Sequence, residues 1–195
     1  YCNSYGLYET YSCTGGCSNG FCGQPTADVC LDPKPLTNGS SVTSSWGSTN
    51  DIEMDDGKTG GCFVDDFFGT EGPEEVYAVS LNAGDLLKAD LTTGVSSAML
   101  SIYEDCTNLD TCVTNNPTEG STTQYYHATK STTVYLVVDA TTSSPSGQYT
   151  IDTTITTGAT CAPGDTVCTN ANNVGICDAS GTSFIGQYNC GSGCQ

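Results

Sequence analysis

The sequence predicts an all-β protein, an antiparallel β-sandwich carrying small disulfide-rich modules at both ends. Three observations predict it. Short stretches of alternating apolar and polar residues recur at intervals of roughly 12 to 20 residues. No stretch shows helical periodicity. And 13 cysteines, crowded towards the two ends, sit in only 195 residues, with no Cys-x-x-Cys pair and a single histidine, which argues for disulfides in an oxidising, extracytoplasmic compartment rather than for zinc or haem.

The run Val134-Tyr-Leu-Val-Val-Asp-Ala140 is the most continuously apolar and β-branched of the chain. Apolar residues fall on both of its faces, so it reads as a central strand covered on two sides. The other strands are taken in order. Pro33, Pro35 and the turn Asn38-Gly39 lead into Ser40–Trp46. Glu75–Leu81 puts Tyr77, Val79 and Leu81 on one face, and Asn82-Ala-Gly84-Asp85 turns the chain. Leu86–Thr92 turns Leu87, Ala89 and Leu91 inward, Ala98–Glu104 does so with Leu100 and Ile102, and Gln124–Ala128 follows. Gln148–Thr156 closes the set, alternating Tyr149, Ile151, Thr153 and Ile155.

The ends are different in kind. Residues 1–30 form one partial cysteine-rich module, 158–195 another, and the sandwich occupies 31–157. Tyr1-Cys2…Gly6…Tyr11-Ser-Cys13-Thr-Gly-Gly-Cys17 and Ile176-Cys177…Gly181…Tyr188-Asn-Cys190-Gly-Ser-Gly-Cys194 overlay as an internal repeat. Such pieces bury too little apolar surface to hold themselves without cross-links. Cys106 is expected to pair with Cys112 across a short loop, and Cys30 with Cys62. With an odd number of thiols, Cys194 is the expected site of a bond to a neighbouring subunit.

Charge narrows the partners. Lys and Arg number 4 together, all lysine, against 22 Asp and Glu, for a net charge of -18. Nucleic acid and anionic membrane surfaces are excluded, and cations are the natural counterparts. No run approaches the length of a membrane span. The lack of a charged-then-apolar leader before Tyr1 reads as a processed or excerpted exported chain.

Five ordered motifs resemble the bacterial pre-peptidase C-terminal domain family. They are Gly72-Pro-Glu-Glu-Val-Tyr-Ala-Val-Ser-Leu81, Ala83-Gly-Asp-Leu-Leu87, Leu100-Ser-Ile-Tyr-Glu-Asp-Cys106, Val134-Tyr-Leu-Val-Val-Asp139 and Gly147-Gln-Tyr-Thr-Ile151. The resemblance covers residues 30–156, looks closest to versions in large exported proteins of myxobacteria-like organisms, and extends to partial myxobacterial-type cysteine-rich repeats at the ends. It implies a jelly-roll-like β-sandwich without catalytic residues of its own. The family's usual glycine before the central strand is replaced here by Ser131-Thr-Thr133.

Candidate chemistry is sparse. His127, in Gln124-Tyr-Tyr-His-Ala128, is the only side chain able to serve as the base of a nucleophilic triad, and no Gly-x-Ser-x-Gly elbow exists; it reads as structural, and no catalytic residue is assigned. Asn50, Asp51, Glu53, Asp55, Asp56, Asp65 and Asp66 gather oxygen ligands of the kind calcium takes. They do not form an EF-hand, because Gly57 falls one place late and the twelfth position from Asp51 is Cys62. Asn38-Gly-Ser40 is the one acceptable N-glycosylation sequon, and Ser40–Thr49 and Thr141–Thr150 are rich enough in hydroxyls for O-linked glycan. Trp46 and the tyrosines raise a sugar-stacking platform as an alternative to packing.

The leading expectation is a non-catalytic extracellular or cell-surface structural protein that self-associates head to tail into a fibre or filament. The alternative is a calcium-dependent or carbohydrate- or protein-binding accessory module of a secreted hydrolase. A cysteine-rich inhibitor or receptor fragment is a third reading.

Overall fold

The computed structural model describes residue 30 and residues 32–46, 72–94, 98–108, 111–113, 122–140, 145, 147–170 and 172–186, with the backbone alone at 17–18, 21–22 and 187–189. Among them there is no α-helix. The head contributes a two-stranded antiparallel pair, β1 (Cys17–Ser18) and β2 (Phe21–Cys22), with Cys17 opposite Cys22.

The sandwich follows as β3 (Lys34–Leu36), β4 (Ser41–Ser45), β5 (Glu74–Leu81), β6 (Leu86–Thr93), β7 (Ala98–Tyr103), β8 (Thr123–His127), β9 (Thr132–Ala140) and β10 (Gln148–Thr156). One sheet has the order β3-β5-β9-β7 and the other β4-β10-β6-β8. Odd-numbered strands therefore lie in the first sheet and even-numbered strands in the second, so every connection crosses from one layer to the other. The turn at Asn82–Asp85 looks like a hairpin in sequence but is an arch: β5 pairs with β9, and β6 with β10 and β8. It is held by its own side chain, since Asp85 Oδ2 accepts the Asn82 backbone N–H at 2.8 Å, and Gly84 supplies the positive φ of 83° that the turn requires.

Each strand predicted from alternation is present. Tyr77, Val79, Leu87, Leu91, Leu100, Ile102, Val134, Leu136, Val138, Tyr149 and Ile151 form one buried cluster between the sheets. Tyr77 and Tyr149 meet there from opposite layers through a 2.8 Å hydroxyl contact, so a phenol is buried without losing its hydrogen bond. β9 is interior to its sheet and buried on both faces, as its composition predicts. Two features differ from expectation. β3, which the prolines hid, joins the sheet edge in parallel to β5, so the sandwich is not wholly antiparallel. Trp46 is no exposed platform; it packs on the core with its ring 4.7 Å from that of Tyr149.

The disulfide assignments are corrected. Cys30 bonds to Cys106, which overturns both the Cys106–Cys112 and the Cys30–Cys62 pairings. The cause is hairpin register: Cys112 lies opposite Tyr103, while Cys106 sits in the turn beyond it, where Asp105 caps the Thr107 N–H at 2.9 Å. Closeness in sequence thus leaves the two thiols at different levels of the hairpin. Cys112 is itself disulfide-bonded; Cys62 lies outside the described residues.

The tail forms a separate three-stranded antiparallel sheet of β11 (Thr166–Asn170), β12 (Asn173–Cys177) and β13 (Phe184–Asn189). Cys161 and Cys177 are bonded within it, and Cys168 is also in a disulfide. The tail meets the sandwich where the Ala159 N–H donates to the Gly84 carbonyl at 2.8 Å, and within the tail the Thr160 N–H donates to the Gly181 carbonyl at 2.7 Å. Disulfides of this number mark a secreted or cell-envelope protein.

Candidate functional site

The two outer faces of the sandwich are unlike. On the β3-β5-β9-β7 sheet, the residues pointing away from the core include Val76, Met99, Ser101, Tyr103, Val137 and Asp139, and all are buried. Val76, Tyr103, Cys106 and Val137 form a second apolar cluster there, with Cys30 and Cys112 against it. Polar groups are caught in this covered face. Asp139 on β9 lies opposite Glu74 on β5 and opposite Met99 on β7, which places Ser101 diagonal to it on the same face. Asp139 is 0 % exposed and Glu74 2 %. Neither oxygen of Asp139 has a hydrogen-bond partner.

Burial, and after it the nearby charge of Glu74, pushes the Asp139 carboxyl well above the usual carboxylate range. Burial also lifts the Tyr103 phenol to about 12, with the Asp139 charge adding to the rise. Such a carboxylate is an expense in free energy unless something compensates it.

The outer face of the β4-β10-β6-β8 sheet is open and polar. Strand register arranges its side chains in rows: Thr43, Thr150 and Thr92 in one, Ser41, Asp152, Asp90 and Thr123 in the next, Thr154, Lys88 and Tyr125 in a third. Thr43 and Thr150 share a 2.8 Å hydroxyl contact. Lys88 pairs with Asp90 at 2.7 Å, and Thr123 donates to the same carboxylate at 2.6 Å. Burial works against the Asp90 charge, but these two donors prevail and hold the carboxyl below its ordinary value. The apolar exception is Leu86, buried at the end of the face where the tail docks.

Of the residues singled out by sequence, His127 faces the tail. Its Nε2 lies 3.0 Å from the Ala159 carbonyl, a structural contact between sandwich and tail. Asn38 is exposed at its turn, with Oδ1 accepting the Ile155 N–H at 2.7 Å. Asn50, Asp51, Glu53, Asp55, Asp56, Asp65, Asp66 and Cys194 lie outside the described residues. Among the described residues no group of three or more His, Cys, Asp and Glu side chains gathers as a metal cluster. Glu74 and Asp139 escaped the sequence reading although a signal existed: an aspartate inside an otherwise apolar strand covered on both faces.

No protein-family model matches the chain, and no curated protein matches it. Among solved structures it is similar to PliG of Aeromonas hydrophila, a periplasmic inhibitor of g-type lysozyme, at 10% identity over 64% of this chain and 100% of that one, with a TM-score of 0.39. It is also similar to the pre-peptidase C-terminal domain of collagenase from Bacillus anthracis, at 9% identity over 64% of this chain and 95% of that one, with a TM-score of 0.36. Likeness at these scores carries no argument about function, and the β-sandwich stands on its own strand pairings.

Proposed function

We propose that this chain is a non-catalytic binding module of a secreted or cell-envelope protein, holding a hydroxyl-rich polymer such as a polysaccharide on the open face of the β4-β10-β6-β8 sheet. The observation that carries it is the contrast between the two outer faces. One is buried and apolar, with the disulfide-bonded Cys30, Cys106 and Cys112 in its cluster; the other presents Thr43, Thr92, Thr150, Lys88, Asp90 and Tyr125 at its surface. Side chains of this kind combine hydroxyl donors and acceptors with an aromatic ring able to stack on a sugar, and in a chain of net charge -18 they favour a neutral partner over a polyanion. The test is retention on insoluble chitin and cellulose, compared with Tyr125→Ala and Thr150→Lys variants. Retention lost in both variants supports the reading. No retention of the parent chain, or retention that survives both substitutions, sinks it.

End-to-end assembly is a second reading, favoured by the repeat shared between the two ends and by the opposed Cys17 and Cys22 of its first copy. In it, Cys194 bonds a neighbouring subunit. Non-reducing electrophoresis decides: a ladder that collapses with thiol supports assembly, and a lone monomer band with one alkylatable cysteine eliminates it.

A further inference from the structure

Asp139 stands at a corner of the β3-β5-β9-β7 sheet. It is the next-to-last residue of β9, opposite Glu74, the first residue of β5, and opposite Met99 near the start of β7, so three strand ends meet around one carboxyl. That carboxyl is completely buried, and neither of its oxygens has a hydrogen-bond partner. No described lysine answers its charge: Lys34 pairs with Glu75 and Lys88 with Asp90 on the other sheet, while Lys130 precedes the opposite end of β9. Register leaves Glu74 on β5, Tyr103 on β7 and Tyr135 on β9 as the other described titratable groups of this face, and Cys30, Cys106 and Cys112 are held in disulfides. None of these is a cation.

An aspartate in that setting keeps its proton, because the neutral acid loses far less than the carboxylate when water is withdrawn and an acidic neighbour stands opposite. Burial first, and the charge of Glu74 second, act on Asp139 in this same direction. We propose that this corner is a pH-sensitive latch: the proton on Asp139 lets the start of β5 close on the end of β9, and its loss parts the strands there while the far end of the sheet stays paired. An ionised carboxyl demands water, and water enters at a strand end with the fewest ladder bonds broken. The outermost of these bonds runs from the Ala140 N–H to the Pro73 carbonyl at 3.2 Å. Parting there uncovers Val76 and Val137, apolar residues paired further in. A carboxyl that ionises less readily folded than unfolded leaves the fold intact below the unfolded value, about 3.9, and draws stability down as pH climbs above it. The latch is therefore closed in acid and opens towards alkaline medium.

The experiment follows amide exchange of the full chain between about pH 5 and about pH 9, expressed as protection so that the rise of chemical exchange with pH is divided out. Protection of Ala140 is expected to fall by up to about tenfold per pH unit, one proton being released on opening, while that of Val134, towards the other end of β9, holds. Asp139→Asn keeps the shape and cannot ionise, so its Ala140 protection should stay level across the range. Level protection in the parent chain overturns the proposal, as does a fall that survives Asp139→Asn or that Val134 shares. Should Asp139→Asn fail to fold, the aspartate carboxyl carbons of the parent chain, followed by carbon NMR, decide. One that is still protonated at about pH 7 and ionises in step with the loss of Ala140 protection upholds the latch, and ionisation of every aspartate by about pH 6 refutes it.

Discussion

The sandwich and the tail sheet solve the same problem with opposite means. The sandwich buries a continuous set of aliphatic and aromatic side chains between two four-stranded layers. Among the described residues the tail has three short strands, Ile185 exposed on one of them, and its fully buried side chains are Cys161 and Cys177. Where apolar burial is plentiful, cysteines are peripheral; where it is scarce, the cross-link takes the place of the core. Area burial scales with size, and a three-stranded piece falls below what holds itself. Even close packing differs in character. In the tail, space is filled by leaving side chains out: Phe184 and Thr169 press so closely on Gly175 that a Cβ there would lie 2.6 Å from the ring.

Substitutions can break this contrast at either side. The largest effect is expected from Leu136→Ala, at a fully buried position of β9. The cavity should cost about 3 kcal/mol, seen as a lower urea midpoint for the whole sandwich, and a midpoint shift confined to the tail would contradict the division of labour. Replacing both Cys161 and Cys177 by serine opens a loop with a sequence separation of 16, worth about 3 kcal/mol in chain-entropy terms. That loss should fall on the tail alone. Limited proteolysis should cut within residues 161–177 while the sandwich melts as before.

Gly181→Ala strikes the joint between the two regions. A Cβ there would lie 2.5 Å from Leu86 Cδ2 and 2.7 Å from the Cys161 carbonyl, at a φ of +72°, for a cost of roughly 1–3 kcal/mol. Hydrogen exchange at Ala159 and Thr160 should quicken, and unchanged protection would show that the tail does not lean on this contact. The smallest effect concerns Asp178. Hydrogen bonds from Ser183 first and Ser180 next pull its carboxyl down to about 2. A group depressed in the folded state lends stability above its unfolded value, near 3.9, and loses it as pH falls. The tail turn should therefore loosen between about pH 4 and pH 2, and Asp178→Asn should flatten that part of the acid profile measured by exchange at Ser180.

Much of the sandwich is legible in the sequence because alternation reports which face of a strand meets the core. Tyr149, Ile151 and Thr153 were readable for that reason. Alternation is silent about which strand lies beside which, so the arch at Asn82–Asp85 passes for a hairpin. It also assumes one dry face: β7 is buried at all six positions from Ala98 to Tyr103, yet Leu100 and Ile102 were the inward pair the pattern marked. The same assumption hid Glu74 and Ser101, which look like solvent-side residues in the alternation but are buried. Disulfide partners depend on register at the level of single residues, and spacing alone does not carry that information.

The alternation of strands between layers has a consequence for the order in which the chain can acquire structure. β9 joins β5 to β7, and β10 joins β4 to β6, so a nascent chain ending before Thr132 holds two strands, β4 and β7, with no sheet neighbour among the described strands. Neither layer can be completed until the last two have emerged, and the contacts that then form are mostly distant in sequence, which makes for slow folding. A chain truncated at Ser131 should be digested by protease as an unfolded polypeptide, whereas one carried through Thr156 should resist. For a protein destined to cross a membrane, a fold that waits for its final strands keeps the polypeptide threadable until it has been delivered.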